Sequence, residues 1–393
     1  MKYDFTTLIN RRHVGSSKYE LMIAQNPDLE DSIIPYSVAD MEFKTPPEIV
    51  EALKQYLDDQ ILGYTRATPA YLKAVRNWMK TRHDWEIKDE WIVCTPGVVN
   101  ALYAAVRAYT EVGDGVIIMP PVYHPFYSAI ELSKRTLVTN PLTNVMNRYE
   151  IDFEDLEIKT SDPRNKVLLF CSPHNPVGRV WTENELIKVA EICLRNNVLI
   201  VSDEIHFDLI MPGYSHTVFA KIEGVLDHLI VCTAPSKTFN LAGLQTSNII
   251  IPHKGLRDAF REELAKNAIF DLNALGYKAC ETAYNECEPW LDELIEVIFE
   301  NHKILKEHME KNHPEIVVYS LEGTYLQWMD FRSLGLERKE LEKMLQNDAK
   351  IYLNLGYMFG VEGEGFVRMN IACPTHILKE GLERLSNAID HLK

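Results

Sequence analysis

An α/β architecture is what this sequence predicts: a mostly parallel sheet flanked by helices in a large domain, then a smaller α+β domain. Three observations carry that expectation. Short apolar runs rich in β-branched residues recur between residues 91 and 251, and helical patterns lie between several of them. From about Pro289 the rhythm changes to one long helix followed by shorter strands. Strands that are apolar throughout and alternate with helices are covered on both faces, as parallel sheets are.

The first 45 residues hold few periodic signals and read as an arm laid over the body. The runs WIVC (91–94), GVIIM (115–119), KVLLFC (166–171), NVLIVSD (197–203), LIVCTA (229–234) and SNIII (247–251) read as strands. Segments 98–112 and 182–195 read as helices. In the second, Thr182 and Glu185 have capping-box spacing, and Ile187, Ala190, Ile192 and Leu194 suggest its buried stripe. After Pro289, Leu291, Leu294, Ile298, Leu305 and Met309 share one side of a long helix. EIVVYS, TYLQWMD and FVRMNIA follow as strands, with two further helical stretches. A chain of 393 residues exceeds one core. The expected division is 1–45 as an arm and part of the small domain, 46–288 as the large domain and 289–393 as the small one.

Composition excludes several classes. The formal net charge is −16, and no basic block or aromatic–basic interleaving offers a footprint for nucleic acid or an anionic membrane. The seven cysteines form no CxxC pair, and several sit inside apolar runs, so they read as buried free thiols of a reducing compartment. The polar start MKYDFTTLINRR and the absence of a span-length apolar run suggest a soluble, cytoplasmic protein. GVEGEG precedes a strand and is not GxGxxG; HExxH, GxxxxGK[ST] and GxSxG are absent.

Parallel sheets place ligands at the carboxyl ends of their strands, and polar residues cluster there in this sequence. Lys237, in APSKTFNLAGLQ, follows an apolar run and has small and aromatic neighbours, the setting of a desolvated amine. Asp203 closes the run in VSDEIHFDLI, where a carboxylate needs a cation, a protonated ring nitrogen or a helix to cap. His206 would share its face if the chain turns helical there. Asn175, in CSPHNPVGRVW, either makes a simple Asx turn or offers its side chain at a strand edge. The turn before VVNALYAAV starts a helix whose free N–H groups suit a phosphate. Arg368 lies between apolar neighbours in GFVRMNIA and requires either a structural ion pair or an anionic ligand.

The order of these features, with YSVADMEFKTPPEIVEAL, LGYTRATPAYLKAVRNW, PPVYHPF, SPHNPVGRVW, SDEIHFDL and APSKTFNLAGLQ at the expected spacing, resembles the fold-type I, pyridoxal-phosphate-dependent aminotransferase superfamily of classes I and II. Within it the chain most resembles the cystathionine β-lyase or C–S lyase branch, which includes the maltose-regulon-modulator type. The resemblance implies a seven-stranded sheet in the large domain and pyridoxal 5′-phosphate as cofactor. It implies that Lys237 carries the cofactor as a Schiff base and moves the Cα proton, and that Asp203 keeps the pyridine nitrogen protonated. Asn175 would donate to the ring oxygen and lie near the substrate, Tyr123 would stack on the ring and assist the leaving sulfur, and His206 would lie beside the cofactor. Val98 and Val99 amides and Ser236 would hold the phosphate, joined by Tyr64 from the other subunit of a homodimer. Arg368 would clamp the substrate carboxylate, with Ala39 and Asp40 near the substrate. Two positions depart from the pattern: Ala234 stands where many relatives have serine, and Gln245 where many have a phosphate-binding arginine.

The activity this implies is β-elimination from an S-substituted L-cysteine such as cystathionine, yielding pyruvate, ammonia and a thiol. A transaminase acting on an amino acid uses the same Lys, Asp and Asn, and a mainly regulatory, protein-binding role is a third possibility. The implied substrate is a small amino acid; no metal site is expected.

Overall fold

The structure is a computed structural model that describes residues 1–392. The large sheet has seven strands: β1 (Ile92–Thr95), β2 (Gly115–Ile118), β3 (Thr136–Thr139), β4 (Asn165–Cys171), β5 (Leu199–Asp203), β6 (Leu229–Thr233) and β7 (Ser247–Ile250). Their spatial order is β1-β7-β6-β5-β4-β2-β3. Neighbours from β3 to β6 pair in parallel, and β7 runs against both β6 and β1. Every residue of β2, β5 and β6 is buried, so apolar side chains can face both ways only because helices cover both faces. The edge strand β3, TLVT, lies outside the runs read from sequence; it is partly exposed and lacks a continuous apolar signal.

The helix Val98–Tyr109 covers one face, packing Ala101, Leu102 and Ala105 with Val116, Leu169 and Val201. It stops short of the expected residue 112 because Thr110 is extended, at φ −137°. On Glu183–Arg195 the capping box forms: Glu185 N–H donates to Thr182 Oγ1 and Thr182 N–H to Glu185 Oε2. Its buried stripe is Leu186, Val189, Ala190, Ile192 and Cys193; Ile187 and Leu194 stand at the margin, a third of a turn off the expected line.

The long helix is Glu288–Asn312, and Leu291, Leu294, Ile298, Leu305 and Met309 are buried along it. Beside it an antiparallel sheet orders Val317–Val318, Leu326–Asp330, Phe366–Asn370 and Asn354–Leu355. The amino-terminal segment is less irregular than its sequence suggested. It contains the helix Ser17–Gln25, and Ile34–Pro35 pairs in parallel with Ile351–Tyr352. All seven cysteines are unpaired, Cys94 half-buried and the others buried. Among the described residues no helix is long and apolar enough to cross a membrane, and no group of His, Cys, Asp and Glu could hold a metal ion.

Candidate active site

Loops leaving the carboxyl ends of β1, β2, β4, β5 and β6 enclose a cavity of about 200 Å³. Ala39, Val98, Val99, Tyr123, Asn175, Asp203, His206, Ser236 and Lys237 all line it. The parallel sheet explains why residues so far apart in sequence meet: strands running the same way bring all their exits to one edge. At β1 the exit is Gly97, whose φ of 96° is a conformation that favours glycine. The helix Val98–Tyr109 starts directly after it, and its first N–H groups have no acceptor within the helix. Those donors, with the Ser236 and Thr246 hydroxyls in the same wall, suit a phosphate.

Lys237 sits on the one-turn helix Pro235–Thr238 that follows β6. Its Nζ donates to the Ala39 carbonyl at 2.6 Å, and the buried Tyr325 hydroxyl donates to the same oxygen at 2.8 Å. Burial lowers the pKa of this amine to about 8, against the opposing pull of the Asp40 carboxylate. Asp203 is buried, with no cation of the described residues within ion-pair distance, and the Ile205 N–H donates to its Oδ1 at 3.2 Å. Burial raises its pKa to about 7. His206 lies in a turn, not on a helix as the shared-face expectation required, because residues 205–208 form successive turns. It still reaches the cavity, edge-on to Tyr325 at 5.9 Å. Burial, then the charges of Lys237 and Arg368, keep its pKa well below the usual histidine range.

Arg368 is buried and makes no salt bridge with any described residue. Its Nη1 donates to Asn175 Oδ1 at 2.9 Å and its Nη2 to Asn354 Oδ1 at 2.7 Å, while Nε has no partner. The guanidinium lies over Phe359, 4.7 Å from the ring centroid, and burial lowers its pKa to about 10. Holding the Asn175 oxygen leaves that side chain's NH₂ to face the cavity as a donor. Beyond Lys237 the cavity opens into a chamber of about 600 Å³, whose walls share Ala39, Tyr123 and Lys237 with it and add Arg368.

A second layer holds the lysine turn. Buried Asp208 accepts from Thr238 Oγ1 at 2.7 Å, from Trp78 Nε1 at 3.1 Å and shares a 2.7 Å contact with His83 Nε2. Thr238 is the residue after Lys237, so this carboxylate ties the lysine turn to the loop that follows Asp203.

Two residues stand elsewhere. Asp40 does not line the cavity: its carboxylate is drawn to Arg11 Nη2 at 2.5 Å and Lys18 Nζ at 3.1 Å. Tyr64 is fully exposed in an irregular stretch and lines a separate surface cleft with Arg66 and Phe270. Thr246, Tyr325 and Asn354 also belong to the site and are not among the residues the sequence singles out. Thr246 directly follows Gln245, and a lone hydroxyl there carries no signal of its own. Tyr325 and Asn354 carry no local signal, since only the packing of the carboxyl-terminal sheet brings them here.

The donor set fits pyridoxal 5′-phosphate. It offers an amine for the aldehyde, a buried carboxylate lacking a cation, an amide donor, an aromatic ring, and unpaired N–H groups with two hydroxyls for the phosphate. The aminotransferase class I and II family matches residues 32–385, and the chain belongs to it. Among its relatives is cystathionine β-lyase PatB of Bacillus subtilis (strain 168), 44% identical over 357 residues that cover 91% of this chain and 92% of PatB. The crystal structure of cystalysin from Treponema denticola, which contains a pyridoxal 5′-phosphate cofactor, superposes with a TM-score of 0.98 at 50% identity and full coverage of both chains. The PLP-bound C–S lyase from Staphylococcus hominis gives 0.93 at 32% identity, covering 99% of this chain and 98% of that one.

Proposed function

We propose that the protein is a pyridoxal-phosphate-dependent carbon–sulfur β-lyase, a cystathionine β-lyase or cysteine-S-conjugate β-lyase, that releases pyruvate, ammonia and a thiol from S-substituted L-cysteines. Arg368 carries the reading: a buried guanidinium with no carboxylate partner faces the same chamber as the Lys237 amine. A substrate α-carboxylate placed on Arg368 sets the Cα proton toward Lys237.

Lys237 would hold the cofactor through its aldehyde. The Lys237 amine, with its pKa lowered to about 8, would serve as the base for the Cα proton of a substrate held by Arg368. Bound pyridoxal phosphate supplies the electron sink for the pair left at Cα. Asp203 would meet the ring nitrogen and keep it protonated. Asn175, its oxygen held by Arg368, would donate through Nδ2 to the ring oxygen. Tyr123 would pack on the ring and assist the departing thiolate, and neutral His206 would lie beside the cofactor. Val98 and Val99 N–H groups and Ser236 would hold the phosphate. Ala39 borders the substrate, and Asp40 acts on Lys237 through its charge.

Tyr64 completes the phosphate site of a neighbouring subunit in a homodimer. Supporting this, the cleft it lines is an open surface of about 960 Å³ beside exposed Ile61, Leu62 and Phe270. We further propose a cytoplasmic enzyme divided at residues 46–288 and 289–393, with 1–45 as an arm and part of the small domain. A transaminase reading rests on the family's description and on the shared Lys, Asp and Asn. The deciding experiment is pyruvate release from L-cystathionine by the holoenzyme without added 2-oxo acid. Steady release that disappears in Lys237→Ala is expected; turnover only when a 2-oxo acid is supplied assigns transamination instead.

A further inference from the structure

The 600 Å³ chamber has a one-sided charge inventory beyond the position of the substrate's α-carboxylate. Its apolar wall includes Leu21, Met22, Met358 and Phe359. One further cation, Lys18, borders it, and its amine is already engaged: Nζ donates to Glu42 Oε1 at 2.6 Å and to the Asp40 carbonyl at 2.9 Å, and forms an ion pair with Asp40 Oδ1 at 3.1 Å. His124 is held neutral, since burial and Arg368 both lower its pKa. Just outside, Arg338 is paired with Glu364 and lies over Tyr357. Glu342 also lines the chamber, exposed and without a salt bridge among the described residues; its Oε1 accepts from Gln346 Nε2 at 3.2 Å. Among the described residues, and Arg368 and Lys237 aside, the chamber therefore offers an anion outside any ion pair and no cation outside one.

We propose that Glu342 selects the substrate's β-substituent, favouring S-substituted L-cysteines with an apolar stem and a distal ammonium over those with a distal carboxylate. This rests on the lyase reading. A cystathionine would be accepted with its distal amine toward Glu342. A distal carboxylate alone would meet like charge there, with no unpaired guanidinium or ammonium of the described residues beside it. Glu342 is exposed, so the discrimination is modest and falls with salt.

The test compares pyruvate release by the holoenzyme from S-(2-aminoethyl)-, S-propyl- and S-(2-carboxyethyl)-L-cysteine, side chains of nearly equal length. A second readout is the dissociation constant of each from the absorbance change of the bound cofactor. At low salt we expect kcat/KM for the amino compound to exceed that for the carboxy compound by about fivefold or more. The ratio should shrink at high salt, approach one in Glu342→Gln and invert in Glu342→Lys. A wild-type ratio of one or below, or the same ratio in Glu342→Gln as in wild type, overturns the proposal. If none of the three releases pyruvate, the lyase reading fails, and the dissociation constants still test the charge order by the same criteria.

Discussion

Arg179 and Arg368 are both buried arginines, 2% and 4% exposed, in opposite circumstances. Arg179 is saturated within the fold: Nη2 reaches both oxygens of Glu185 at 2.9 Å, Nε reaches Glu322 at 3.0 Å, and Nη1 donates to the Tyr149 carbonyl. Arg368 has two amide oxygens, no carboxylate and an idle Nε. Two aspartates repeat the contrast. Asp208 receives Thr238, Trp78 and His83, whereas Asp203 receives one backbone N–H. A buried charge whose partners are all internal is complete when the chain folds. One left short of partners bears its desolvation cost unpaired, and such groups persist where a ligand supplies what is missing.

That contrast can be broken by experiment. The largest effect is expected at the unsaturated arginine: Arg368→Met should lower kcat/KM for an amino-acid substrate about a thousandfold, from the lost carboxylate contact, with little loss of thermal stability. Should its melting temperature fall steeply while kcat/KM holds, Arg368 is structural. Arg179→Met should do the reverse. It takes the buried guanidinium away from Glu185 and Glu322, costing about 4 kcal/mol of unfolding free energy in denaturant titrations, while activity per folded molecule is retained.

Asp203 gives the next effect, and its sign follows from the raised pKa. In the cofactor-free protein the folded state binds the Asp203 proton more tightly than the unfolded state does between the ordinary carboxylate pKa and about 7. Stability from this group is therefore lost as pH rises through that window, by on the order of 4 kcal/mol. Asp203→Asn should make the cofactor-free protein more stable than wild type at pH 8 and remove this slope, as read from melting curves at pH 5 and pH 8. A wild-type advantage at pH 8 would mean that an internal cation already meets Asp203. The smallest effect is expected one step behind the lysine. Thr238→Val removes one donor from Asp208 and loosens the lysine turn, so kcat should fall severalfold, by about 1 kcal/mol, with KM nearly unchanged. Thr238→Ser should restore it, together with the pH midpoint of the cofactor absorbance; equal losses in both variants would assign Thr238 to packing alone.

Lys237, Asp203 and Asn175 were legible because each follows a strand that announces itself as an unbroken apolar run, and a parallel sheet gathers such exits along one edge. For the same reason β2, β5 and β6 could be read directly, while β3, half-exposed at the sheet's edge, could not. Helix starts were also local: the Thr182 capping box and Gly97 lie within a few residues of what they control.

Partner choice was not local. Asp40 stands beside Ala39 in the sequence, yet its carboxylate turns to Arg11 and Lys18 while the Ala39 carbonyl meets Lys237. Asn354 and Tyr325 reach the site because antiparallel pairing sets Asn354 opposite Arg368 and buries Tyr325 against the Ala39 carbonyl. The sequence by itself determined which groups carry charge and where strands and helices begin, since those depend on neighbouring residues. Which charges would be satisfied internally, at Arg179 and Asp208, and which would stay open, at Arg368 and Asp203, was decided only by tertiary packing. A buried ion's state depends on every group within a few ångströms, wherever in the chain that group lies.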